Sequence, residues 1–89
     1  MNMYVGNLSL DTTEDDLRQA FQVHGKVSSV FLLRTEMMGG RRTGPSRGRG
    51  FVAMPDKAQA LAALVALNLH EFHGKAMAVQ EARIPGHRR

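Results

Sequence analysis

The sequence predicts an α+β domain of order βαββαβ, with two helices laid on one face of a four-stranded antiparallel sheet. Three observations predict it. Met3 to Asn7 and Arg49 to Met54 alternate with period two, each turning one set of side chains to a core and an aromatic, Tyr4 or Phe51, to the opposite face. Thr13 to Leu17 and Asp56 to Leu67 carry helix-start signals followed by apolar runs. Two more strand-like stretches, one in the middle of the chain and one near its end, complete the alternation of elements.

The first strand covers Met3 to Asn7. A helix begins at Thr13, where Thr13 and Asp16 form a capping box with Asp in place of the usual Glu or Gln, and where Glu14, Asp15 and Asp16 suit the positive end of the helix dipole. Leu17, Ala20 and Phe21 fall at helical spacing for a core, and Gly25 is placed to end the helix. Val27 to Arg34 reads as the second strand, with Val30 and Leu32 on one face and Phe31 and Leu33 on the other. Both faces are apolar, so Phe31 and Leu33 either sit under the connection that follows or widen the surface beside Tyr4 and Phe51.

Thr35 to Ser46, with Gly39-Gly40, Arg41-Arg42, Gly44 and Pro45, reads as a mobile loop. The third strand, Arg49 to Met54, gives way at Pro55 and Asp56 to a helix over Ala58 to Leu67, expected to pack Ala58, Leu61, Ala62 and Val65 on the sheet. His70 to Gly74 makes a turn or short hairpin, and Ala76 to Ala82 a fourth strand that sets Met77 and Val79 against Ala78 and Gln80. Residues 1–83 form the domain, and 84–89 a short, loose, basic tail. In this order the two helices share one face of the sheet and leave the other open, the ferredoxin-like arrangement, and the first and third strands lie side by side at its centre.

With 89 residues the chain is one domain, large enough to bury roughly 60% of its unfolded surface without a staple. It has no cysteine, which excludes disulfides and thiolate metal sites and fits a reducing, cytoplasmic setting. Met1 to Leu10 lacks a basic segment leading into a long apolar one, and no apolar run approaches the ~18 residues of a membrane span, so a soluble protein with no membrane partner is expected. Catalysis finds no support, since no nucleophile has an evident base and the glycines between Gly39 and Gly50 lack the spacing and lysine of a phosphate loop. His70 and His73 have no Cys or carboxylate cage around them and make a poor metal pair. Neither cofactor, metal nor small-molecule substrate is expected.

The net charge of +4 is segregated. Asp11, Glu14, Asp15 and Asp16 crowd the first helix. Arg34, Arg41, Arg42, Arg47 and Arg49 face a single acid, Glu36, in the middle of the chain, and Arg83, Arg88 and Arg89 close it. A polyanion would be drawn to one region and repelled from another.

The runs Tyr4-Val5-Gly6-Asn7-Leu8 and Arg47-Gly48-Arg49-Gly50-Phe51-Val52-Ala53-Met54, with Thr13 to Leu17, Phe21, Gly25 and Gly74-Lys75, resemble the RNA recognition motif family, whose longer signature runs K/R-G-F/Y-G/A-F-V-x-F/Y. The resemblance spans Met3 to about Arg83 and is nearest to the small single-domain bacterial members and the glycine-rich RNA-binding proteins. It implies single-stranded RNA laid across the open sheet with bases stacked on strand aromatics. Tyr4 and Phe51 take the stacking positions, Arg47 the phosphate-pairing position, and Gly48 and Gly50 the small positions. Asn7 and Phe31 border the surface, and Gln80 and Arg83 of the last strand and tail reach the bases. Gln80 is either a base-edge contact or a solvated strand residue. Arg49 departs from the pattern, which has Phe or Tyr there; a guanidinium can stack on a base or pair with a phosphate. Met54 replaces the closing aromatic and by parity points to the helices, and Leu69 stands where glycine is common.

The expected function is therefore a non-enzymatic module, monomeric, for single-stranded RNA. Two alternatives stay open: a protein-binding domain of the same fold that grips a peptide through Phe31, Leu33 and Phe51, and a general single-stranded nucleic acid binder that ignores the 2′-hydroxyl.

Overall fold

A computed structural model describes residues 1–38 and 41–82, with side chains outside 34–47. The elements are β1 Asn2–Gly6, α1 Glu14–Gln22, β2 Ser29–Met38, β3 Arg41–Ala53, α2 Lys57–Leu67, β4 His70–Phe72 and β5 Lys75–Glu81. All neighbours in the sheet are antiparallel, in the order β2-β3-β1-β5-β4. The expected architecture holds, with β1 and β3 adjacent at the centre and a fifth, three-residue strand where a turn or short hairpin was expected. Met3, Val5, Leu32, Val52, Met77 and Val79 form one buried layer with Leu17 and Phe21 of α1 and Ala60, Ala63 and Leu67 of α2. Met54 joins it, as its parity required.

α1 starts as its sequence dictates. Thr13 N donates to Asp16 Oδ2 at 3.0 Å and Asp16 N donates back to Thr13 Oγ1 at 3.1 Å, so two amides that the helix cannot pair internally are satisfied. Asp56 caps α2 in the simpler way, its Oδ1 accepting from Gln59 N at 3.0 Å. The far end of α1 differs from expectation. The helix stops at Gln22 with Val23 as its cap, so Gly25 is not the stop signal. Gly25 instead makes room, since a Cβ there would overlap the Gln59 side chain of α2, whose Oε1 accepts from Lys26 N at 3.1 Å.

The buried face of α2 also differs. Ala58, Leu61, Ala62 and Val65 were expected inside, but all four are exposed, and Ala60, Ala63 and Leu67, with Leu64 partly buried, meet the sheet instead. From Ala58 to Leu69 the chain carries no charged residue. A helix that is apolar around most of its circumference has no polar stripe to mark which side is wet.

The stretch read as a loop is mostly strand. Arg34 pairs with Ser46, Glu36 with Thr43, Met37 with Arg42 and Met38 with Arg41, so β2 and β3 extend together as a hairpin whose Gly39 and Gly40 lie outside the described residues. The register shifts twice, between Leu32 and Arg34 and between Arg34 and Glu36, and the extra residues fall on β3. Gly48, at φ 80°, lies in the first irregularity, and Gly44-Pro45 falls in the second. Bulges are where strands tolerate a left-handed residue and a proline, which is how turn-forming residues come to lie within a ladder. The expected tail, 84–89, lies outside the described residues.

β4 and β5 are joined through His73 and Gly74, at φ 53° and 84°, a pair of left-handed residues that suits a two-residue hairpin. Beyond this short strand the edge of β5 is covered by the end of α2. Asn68 Oδ1 accepts from Val79 N at 2.9 Å, and Leu69 N donates to Met77 O at 2.6 Å. Making both bonds holds Leu69 at φ 64°, a conformation that costs a side-chain-bearing residue roughly 1–2 kcal/mol.

Two outcomes follow from this packing. Leu69→Gly, at a position 70% exposed, should raise stability by roughly 0.5–1 kcal/mol once the looser unfolded chain is counted, read as an increase of a few degrees in unfolding midpoint. Val65→Gln, on the wet side of α2, should shift stability by no more than about 0.5 kcal/mol, whereas Ala63→Gln, on the side against the sheet, should cost about 2 kcal/mol or more in denaturant unfolding.

Candidate functional site

The face of the sheet turned away from the helices is organised by register. Phe31 pairs with Phe51, Phe51 with Tyr4 and Tyr4 with Gln80, which sets four side chains in one line across β2, β3, β1 and β5. Phe31 is 41% exposed and Phe51 38%, so neither ring is covered by a helix or a loop. Tyr4 is half-buried. Its ring meets that of Phe51 edge to face, centroids 5.7 Å apart and planes at 67°, a contact worth ~0.5–1.5 kcal/mol beyond burial. The two rings thus hold one another in place while the outer surface of the pair faces solvent.

On one side of this line, Ser29, Ala53 and Asn2 are paired across the same strands. On the other, Ala78 pairs with Gly6, and Arg49 lies two residues from Phe51 along β3, on the same face. Arg49 is exposed and brings a guanidinium to the border of the line. Of the acids near the start of α1, Asp16 is engaged away from this face. Asp16 closes the capping box and lies 3.7 Å from His73 Nε2 at the β4–β5 turn.

Of the residues singled out from the sequence, Tyr4, Phe31, Phe51 and Gln80 are brought into the line and Arg49 stands next to it. Asn7 has a structural engagement that the sequence did not reveal. It ends β1 at φ 56°, and its Nδ2 donates to Ala76 O at 2.8 Å, carrying the β1–β5 ladder one step further. Arg47 lies in β3 next to Gly48, whose carbonyl accepts from Leu8 N at 2.9 Å, but the Arg47 side chain lies outside the described part, as does Arg83 altogether. Asn2 and Ser29, both exposed, were not foreseen as neighbours of the line. Strand parity with Tyr4 and Phe31 is the signal that would have found them.

An open antiparallel sheet with two central strands offering adjacent rings, backed by two helices, defines a platform-type binding domain. The chain belongs to the RNA recognition motif family, whose profile matches residues 3–78. Over 80 residues it is 41% identical to the glycine-rich RNA-binding protein 1 of Mycosarcoma maydis, covering 90% of this chain and 43% of that protein, so it spans less than half of that relative's length. It is also 41% identical over 83 residues to the protein RbpE of Nostoc, covering 93% of this chain and 79% of that one. Among solved structures, it is similar to RNA binding protein PG1, with a TM-score of 0.81 and 41% identity over 92% of this chain and 93% of the other. A complex of the Sxl-lethal protein with RNA is similar at a TM-score of 0.83 and 27% identity, over 97% of this chain and 48% of that one.

Proposed function

We propose that the open face binds single-stranded RNA, stacking unpaired bases on Tyr4, Phe51 and Phe31 while arginines, Arg49 among them, contact phosphates. The observation that carries this reading is the line Phe31, Phe51, Tyr4, Gln80, a continuous strip of three rings ending in an amide across four strands. Flat apolar faces accept any base, and each stack contributes ~1–3 kcal/mol. Gln80, able both to donate and to accept, supplies base-edge hydrogen bonds at one end of the strip. The names of two similar proteins, an RNA-binding protein and an RNA complex, support the choice of ligand.

The module acts by holding unpaired segments, as a monomer and without catalysis. The guanidinium of Arg49 stands where the family pattern has a third ring, so stacking area is traded for charge and binding depends more steeply on salt. Phe31, on the neighbouring strand, returns part of that flat area one strand further out.

In fluorescence anisotropy with short mixed-sequence RNAs, Tyr4→Ala and Phe51→Ala should each raise Kd about tenfold in a protein that stays folded but unfolds several degrees lower for want of the ring–ring contact; wild-type affinity in both variants would remove the stacking mechanism. Arg49→Ala should flatten the slope of log K against log salt by about 0.7, the share of one phosphate contact on a single strand. A matched DNA oligomer should bind more weakly than the RNA, and equal affinity would reassign the domain to general single-strand binding.

A further inference from the structure

We propose that Gly6 is a positioning residue for the ring of Tyr4, the bare stretch of β1 on which that ring lies. Gly6 sits two residues along from Tyr4 and so on the same, open face, yet it is buried. The ring accounts for this. A Cβ built on Gly6 would stand 3.1 Å from Tyr4 Cε2, 3.3 Å from Oη and 3.5 Å from Cζ, so the distal half of the ring covers the Gly6 backbone. Gly48 and Gly74 have positive φ, at 80° and 84°, but Gly6 is not among the residues in that region, and its backbone could carry any side chain. The three atoms nearest to such a Cβ all belong to this ring, which must give way by a few tenths of an ångström to admit one.

A ring folded down along the strand has one face on the backbone and the other outward, as a platform for a base must. Ala78 pairs with Gly6, and Phe51 meets the ring edge to face at 5.7 Å, so the ring has a neighbour at its side and Gly6 as its floor. An alanine methyl at 6 would tilt the ring by a few tenths of an ångström. A valine, whose branched side chain cannot turn away from its own strand, would lift it off. Strand-forming tendency rises in both variants, so the fold should not suffer.

The inference rests on the stacking reading above, and the chain offers a direct reporter of it, because Tyr4 is the single tyrosine and there is no tryptophan. Intrinsic tyrosine emission would be followed while a short mixed-sequence single-stranded RNA is added, with anisotropy of the labelled RNA measured in parallel and thermal unfolding run on every variant. Gly6→Val should unfold within a few degrees of wild type, bind RNA at least fivefold more weakly and lose most of the Tyr4 quenching; Gly6→Ala should show a smaller loss of the same kind. Added to Tyr4→Ala, Gly6→Val should change affinity by less than twofold, because no ring is left to misplace. Wild-type affinity and quenching in the Gly6 variants, or an undiminished penalty in the Tyr4→Ala background, would overturn the role of Gly6. Should Gly6→Val not fold, Gly6→Ala alone and in the Tyr4→Ala background decides by the same readings. Tyr4→Ala binding as tightly as wild type would bring down the stacking reading itself, whereas weakened Tyr4→Ala beside unaffected Gly6 variants would bring down only this inference.

Discussion

The register of β1 between its two neighbours is the constraint on which the rest of the structure depends. Side chains on a strand alternate with period two, so a slip of one residue would exchange Met3 and Val5 with Tyr4 and Gly6. Met3 and Val5 are fully buried beneath the helices, and the apolar area they withdraw from water holds the strand in phase. Holding them inside turns Tyr4 outward opposite Phe51 and Gln80. The rings of the platform are thus exposed by the same burial that makes the core. No separate force has to hold an aromatic in water, which is why so small a domain can keep a large flat apolar strip uncovered.

The edges of the sheet are managed in two ways. On the β5 side, the three residues of β4 cover only part of the strand, and Asn68 and Leu69 complete the cover by presenting an amide oxygen and a backbone N–H to Val79 and Met77. On the other side, β2 and β3 run on past the core as a hairpin with two register shifts, and such bulges increase the twist of a ribbon and bend it. Phe72 of β4 also packs against the core, whereas the hairpin prolongs β2 as the other edge strand.

What could be read from the sequence divides by the range of the interaction concerned. The Thr13–Asp16 box and the Asp56 cap are local, formed within four residues, and both were visible. The strand parities of Tyr4, Phe51, Met54, Met77 and Gln80 were visible because each strand carries its own alternation of apolar and other residues. The wet face of α2 was not, since Leu61 and Val65 are as apolar as Leu64 and Leu67, and only the position of the sheet chooses between them. The β2–β3 hairpin was hidden because Gly44, Pro45 and Gly48 are turn formers, and a bulge uses the same residues as a turn. Asn7 was singled out for its place in a motif, while its bond to Ala76 depends on a strand some seventy positions away. Gly6 was hidden for a different reason: a glycine within a strand reads as a weakness, and sequence does not tell that the ring of Tyr4, only two positions away, folds over it.

The contact between Gly25 and Gln59 joins the two halves of the chain across the helical layer, and it constrains which sequences this backbone can accept. The amide of Gln59 occupies the volume that any side chain at 25 would need, and it serves as acceptor for the amide that follows. The constraint is one-sided. A methyl at 25 would stand 2.6 Å from the Cβ of Gln59, an atom that even alanine at 59 retains, and φ 153° is a backbone region that side-chain-bearing residues rarely adopt, so shortening 59 does not open 25. Position 59 is the freer of the two, because the N–H of Lys26 that would lose its acceptor is exposed and can turn to water.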